Sequence, residues 1–123
     1  MTMVTVGDIY ELLNERAPFS MQMDFDNAGF LVGRRCARVQ RVLVALDITQ
    51  AVVEEAAEKG CQLIVSHHPV IWGGAKSVTD ETLTGRKILA MAEHGIAAIC
   101  AHTNLDMARG GVNDALAAAL GLT

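Results

Sequence analysis

Residues 41–68 read "RVLVALDITQAVVEEAAEKGCQLIVSHH", and the order of their patterns decides the fold. "RVLVALDIT" is an apolar, largely branched run fit for a buried strand. "QAVVEEAAEKG" alternates with helical periodicity and closes on Lys59 and Gly60, a usual helix C-terminal signal. "CQLIVSHH" then opens a second apolar run. Strand, helix and strand in this order predict a βαβ unit, whose strands lie parallel and whose crossover is right-handed.

The unit recurs. After the loop holding Trp72, Gly73 and Gly74 comes the helical pattern "GRKILAMAEHG", then the strand "IAAICAHTNLD" and the helix "GVNDALAAALG". On the N-terminal side, Thr5 with Asp8 three residues on reads as a capping pair for a helix that ends before Pro18. An irregular loop over 24–29 leads to a short strand at Phe30 to Val32. The expected architecture is α/β in three layers, with a mixed or largely parallel sheet flanked by helices, and residues 1–123 forming one domain.

Composition removes several classes of function. The formal net charge of −4, with no block of like charge, gives no electrostatic footprint for a nucleic-acid backbone. Aromatics are 4% of residues, too few for an extended base-stacking platform. No apolar run approaches the roughly 18 residues of a membrane span, and "MTMVTVGD" lacks the basic flank and apolar core of a signal peptide, so a cytoplasmic protein is expected. Cys36, Cys61 and Cys100 are odd in number and widely spaced, which predicts neither a disulfide framework nor a zinc knuckle. Cys61 and Cys100 read as small buried residues.

The polar residues gather at one edge of the expected sheet. Asp47 falls at the end of the first strand of the series, His67 and His68 at the end of the second, and His102 at the end of the third with Asp106 four residues later. Ligands of open α/β sheets bind at this carboxyl edge. Neutral imidazole is a common metal ligand. Adjacent residues of a strand point to opposite faces, so His67 and His68 are expected to serve two neighbouring ions, with Asp106 adding a carboxylate. From the residues alone, a histidine at a strand end also serves as a hydrogen-bonded surface group, and that alternative stays open. His94, in the last turn of a helix, reads as a cation favoured by the helix C-terminus. Pro69 ends strand pairing past the histidines, "RGGVND" reads as a tight turn before a helix in preference to an anion-binding loop of backbone amides, and Asp26 with Asn27 as turn formers.

"DFDNAGFLVG", "VLVALDIT", "IVSHHPVIW" and "AHTNLDMARGGVNDALA", in this order, resemble the signature blocks of the Nif-three-like family, whose members are also named GTP cyclohydrolase 1 type 2 homologs. The resemblance runs from about Val6 to Leu122; Phe25 stands where the family often has Trp. It implies an α/β fold, a dinuclear metal centre and ring-shaped homohexamers. Carried over by motif, His67, His68 and Asp106 are metal ligands; His102 sits near the centre in the family's pattern, and a catalytic role for it, supporting the ligands or transferring a proton, is a hypothesis beside the alternative that it holds the turn by hydrogen bonds. The family's other two ligands, a His and a Glu near the end of the full-length protein, have no counterpart before Thr123, so the chain resembles an N-terminal half.

The expected cofactors are therefore two divalent ions, with zinc, iron and manganese all compatible with His plus carboxylate ligation. Two functions follow as expectations. One is metal-dependent hydrolysis of a small molecule such as a nucleotide, by metal-activated water. The other is a non-catalytic metal-binding scaffold or regulatory interaction protein.

Overall fold

The computed structural model describes residues 3–122. The first helix, α1 (Val6–Arg16), starts at the expected N-cap: the Thr5 hydroxyl accepts from the Asp8 amide at 3.2 Å, and the Asp8 carboxylate accepts from the Thr5 amide at 2.9 Å. The two bonds satisfy amides that a helix start leaves without partners. A short 3-10 turn, Phe19–Met21, follows Pro18.

The βαβ series is present as read. Strand β2 (Val42–Ala45) leads into α2 (Gln50–Glu58), β3 (Leu63–Ser66), α3 (Leu83–Glu93) and β4 (Ala97–Cys100). Helix α2 is capped by Thr49, whose hydroxyl accepts from Val52, and Gly60 beyond it takes φ 69°, the left-handed conformation that glycine adopts without strain. Strand β1 (Gly29–Val32) completes a four-stranded sheet of order β1-β4-β3-β2. The last three strands are parallel in register, Leu63 facing both Val42 and Ala97. β1 runs antiparallel to β4, so the sheet is mixed. Just past β1, Gly33 holds φ 120°, and a Cβ there would lie 2.5 Å from that of Ala97. Only glycine lets the chain leave the sheet so close to the next strand.

Alternation along the strands divides the core into two layers. Ile64 and Ala98 face α2 and α3, where they pack with Val53, Ala56 and Met91. Leu63, Ala97 and Ile99 face α1, where they pack with Val6 and Phe19. All four residues of β4 are buried, as expected for a strand flanked by two others and covered on both faces. The edge strand β2 is the contrast: Val44 is 78% exposed. Over β2 and β3 the α1 side leaves an apolar groove of about 430 Å³, lined by Leu13, Val44, Leu46, Val65, Leu105 and His67 among others.

One element was not in the sequence pattern. "HTNLD" does not extend β4: Thr103–Met107 forms a short helix, α4, and α5 (Val112–Ala119) follows. Buried Asn104 makes the bend, its carbonyl oxygen accepting from the His102 amide at 2.9 Å and its amide donating to the Ala17 carbonyl at 2.8 Å.

Candidate metal centre

The parallel strands β3 and β4 deliver the histidines. His67 and His68 leave β3 directly, and His102 stands between β4 and α4. The expectation that His67 and His68 point to opposite faces is corrected by the structure. Their amides both donate toward β2, to the carbonyls of Ala45 (3.3 Å) and Leu46 (3.0 Å), and the Ser66 hydroxyl closes onto the His68 carbonyl at 2.8 Å. Successive amides of an extended strand point to opposite sides. Here the chain has turned off the pleat, and the two rings lie 5.1 Å apart, centroid to centroid. His102 stands 4.9 Å from His67 and 5.3 Å from His68. One ring nitrogen from each of the three lies within 4.8 Å of the others.

Hydrogen bonds fix which nitrogen each ring presents. His67 Nδ1 meets the Ala101 carbonyl at 2.9 Å, His68 Nδ1 meets Asp47 Oδ1 at 2.7 Å, and His102 Nδ1 meets Asp26 Oδ1 at 3.0 Å. These oxygens only accept, so Nδ1 carries the proton in all three rings, and a neutral imidazole then offers Nε2 as a bare lone pair. Such bonding is the usual way of orienting an imidazole toward a metal. Asp106, in the first turn of α4, stands outside that three-ring group and approaches His67, its Oδ1 lying 3.9 Å from His67 Nε2. With metal–ligand bonds of about 2.0 to 2.2 Å, two ligands of one ion stand roughly 3.4 Å apart at the tetrahedral angle and up to about 4.2 Å when opposed. A gap of 3.9 Å between two acceptors is within that span, so His67 Nε2 and Asp106 Oδ1 are spaced to share one divalent cation.

Asp26, read from the sequence as a turn former, belongs to this site. Its side chain has no exposed surface and faces His102. Besides His102 it accepts from the Thr103 amide at 3.0 Å and the Thr103 hydroxyl at 2.5 Å. Burial alone pushes this carboxyl's pKa up, but the bonds from Thr103, His102 and Asn27 outweigh it and bring the value down to about 2. Asp26 is therefore an anion at neutral pH, placed to hold the Nδ1 proton of His102. No local pattern marks it, because its partners lie 76 and 77 positions away. Beside it, the Cys100 thiol is pushed up to about 12, first by burial and then by the Asp26 charge. The thiol donates to the His67 carbonyl at 3.1 Å.

The other candidates fall outside the cluster. His94 caps the C-terminus of α3, with Nδ1 2.8 Å from the Ala90 carbonyl. In "RGGVND" the Gly110 amide donates to Asp114 Oδ2 at 2.6 Å, so that turn satisfies itself. Cys61 and Cys100 are buried and Cys36 is exposed.

A mixed α/β sheet that gathers three histidine rings beyond its parallel strands, with a carboxylate beside one of them, defines a class, α/β proteins with a histidine cluster at the sheet edge. Within that class the chain belongs to the Duf34/NIF3 (NGG1p interacting factor 3) family, whose model matches residues 4–123. It is 41% identical over 116 residues to a GTP cyclohydrolase 1 type 2 homolog of Clostridium acetobutylicum, a match covering 94% of this chain and 43% of that protein. A protein of the same name from Bacillus subtilis is 39% identical, over 94% of this chain and 31% of its own length. The chain thus spans less than half the length of these relatives. The crystal structure of Staphylococcus aureus protein SA1388 superimposes with a TM-score of 0.91 at 41% identity, covering 98% of this chain and 34% of the other.

Proposed function

We propose that this chain supplies the imidazole and carboxylate part of a dinuclear divalent-metal centre, in a hydrolase acting on a nucleotide or a related small molecule. The observation that carries the reading is the shared Nδ1 commitment of the clustered rings of His67, His68 and His102, which leaves Nε2 of each without a proton, with Asp106 Oδ1 3.9 Å from that of His67. His67 and Asp106 hold one ion and His68 contributes to a second, with zinc, iron and manganese all suited to such donors. Bound there, the ions supply Lewis-acid activation of water. His102 takes up a proton at Nε2, while Asp26 steadies the charge that appears on the ring. The relatives' names point to GTP as the first nucleotide to try. Because the chain covers 43% and 31% of those relatives, the activity, a homohexameric assembly and a cytoplasmic setting are carried over as parts of this proposal. Among the described residues no helix is long and apolar enough to cross a membrane.

The test is a nucleotide panel incubated with the metal-loaded protein, run beside the full-length Clostridium acetobutylicum relative. The reading expects metal-dependent turnover that His102→Gln abolishes where turnover occurs. No metal-dependent turnover by either protein counts against it. A second reading, a metal-ordered scaffold for a protein partner, is favoured by the family's description as an interacting factor and by the apolar groove beside His67. Loss of a partner interaction in His68→Ala, with no turnover to lose, selects that reading.

A further inference from the structure

Trp72 is the only tryptophan of the chain. Burying an indole is among the larger single gains available to a core, yet Trp72 remains 54% exposed while its neighbour Val70 is 5% exposed. Its place is nevertheless fixed. Ile71, just before it, packs against the core layer of α2 and α3, and its carbonyl accepts from the Asn27 side-chain amide at 2.7 Å. Asn27 follows Asp26, the residue that orients His102, so one short loop steadies both the histidine and the backbone that presents the indole. Past Trp72 the chain turns away through Gly73 and Gly74, at φ 65° and 92°, with open space where a Cβ would stand at either. The indole and the His102 ring are nearly perpendicular, ring centroids 5.5 Å apart and planes at 84°.

We propose that Trp72 is the specificity-determining wall of the site, a stacking surface for a planar heterocyclic ring whose reacting end reaches the histidine cluster. The proposal rests on the preceding reading for the chemistry and adds the residue that selects the substrate's ring. A half-exposed indole on an anchored backbone offers a flat π surface at a reduced ordering cost on binding, and stacking on it is tolerant of ring identity. Low aromatic content excludes an extended platform for a polymer but leaves room for one ring at one site. Phe25, 70% exposed and adjacent to Asp26 in sequence, is the other large aromatic left open on these loops.

The experiment measures binding of GTP and of inorganic tripolyphosphate to the manganese-loaded wild type, to Trp72→Phe and to Trp72→Ala by calorimetry, with bound manganese counted in each. The proposal expects GTP to bind more tightly than tripolyphosphate, Trp72→Ala to weaken GTP on the order of ten-fold with tripolyphosphate unchanged, and Trp72→Phe to stay within about three-fold of wild type. Manganese content is expected to be equal in all three. Equal GTP affinity in wild type and Trp72→Ala overturns the proposal, as does equal loss of GTP and tripolyphosphate, or no preference for GTP in the wild type. If the wild type takes up no manganese, the metal reading fails instead, and the same comparison with guanosine decides the stacking role by itself.

Discussion

Replacing Asp26 probes the bond system that builds the site. Its carboxylate is fully enclosed and accepts from Thr103 twice, from His102 Nδ1 and from the Asn27 amide. Alanine leaves these donors facing a void. Each unsatisfied buried donor costs about 1 to 3 kcal/mol, but donors that share one acceptor relax together, so the costs do not add. We expect Asp26→Ala to lose about 3 to 5 kcal/mol, a large part of the roughly 5 to 15 kcal/mol that holds a domain together. Asp26→Asn keeps one oxygen and sets an amide against the remaining donors, so its loss is intermediate. The folded-state pKa is lowered from 3.8 to about 2, and such a group stabilises the fold above the unfolded value. That contribution, about 2 kcal/mol, is present above pH 3.8 and disappears as pH falls through about 2. Urea unfolding followed by circular dichroism between pH 7 and pH 2 gives both quantities. A loss below about 1 kcal/mol in Asp26→Ala, or equal acid sensitivity in wild type and Asp26→Asn, refutes the reasoning.

Two further predictions concern the scaffold. Gly33→Ala places a methyl 2.5 Å from the Ala97 Cβ at a φ of 120°, and is expected to lower stability by about 2 to 4 kcal/mol, read as a fall in urea midpoint at unchanged slope. At neutral pH a thiol-specific maleimide is expected to label exposed Cys36 rapidly while Cys61 and Cys100 stay unlabelled until the protein unfolds. Cys100, pushed up to about 12, is a neutral thiol there, and its labelling in the native protein at the Cys36 rate would contradict its burial.

The βαβ series was legible because its signals are local. Branched apolar runs, a Thr before each of the first three helices and a glycine after α2 and α3 bound the elements within a few residues. Placement of His67, His68 and His102 at one edge followed from strand direction alone. The rest depends on contacts remote in sequence. The antiparallel pairing of β1 with β4 joins residues about 70 positions apart, and a register shift between Phe30 and Val32 has no local signature. The convergence of His67 with His68 depends on Ala45 and Leu46 drawing both amides to one side, which the period of a strand does not anticipate. Asp26 looked like a turn residue because its short side chain and loop context suit a turn, and its selection of His102 and Thr103 exists only once β4 and α4 are in place.

Binding of divalent metal by these histidines and Asp106 is decided by elemental analysis of protein purified without a polyhistidine tag, set beside His67→Ala and Asp106→Ala. Stoichiometric divalent metal is expected in the wild type, with a marked loss in both variants and the fold intact. Metal-free wild type that takes up none on dialysis against zinc, iron or manganese, or variants that retain the full complement, overturns the metal-centre reading.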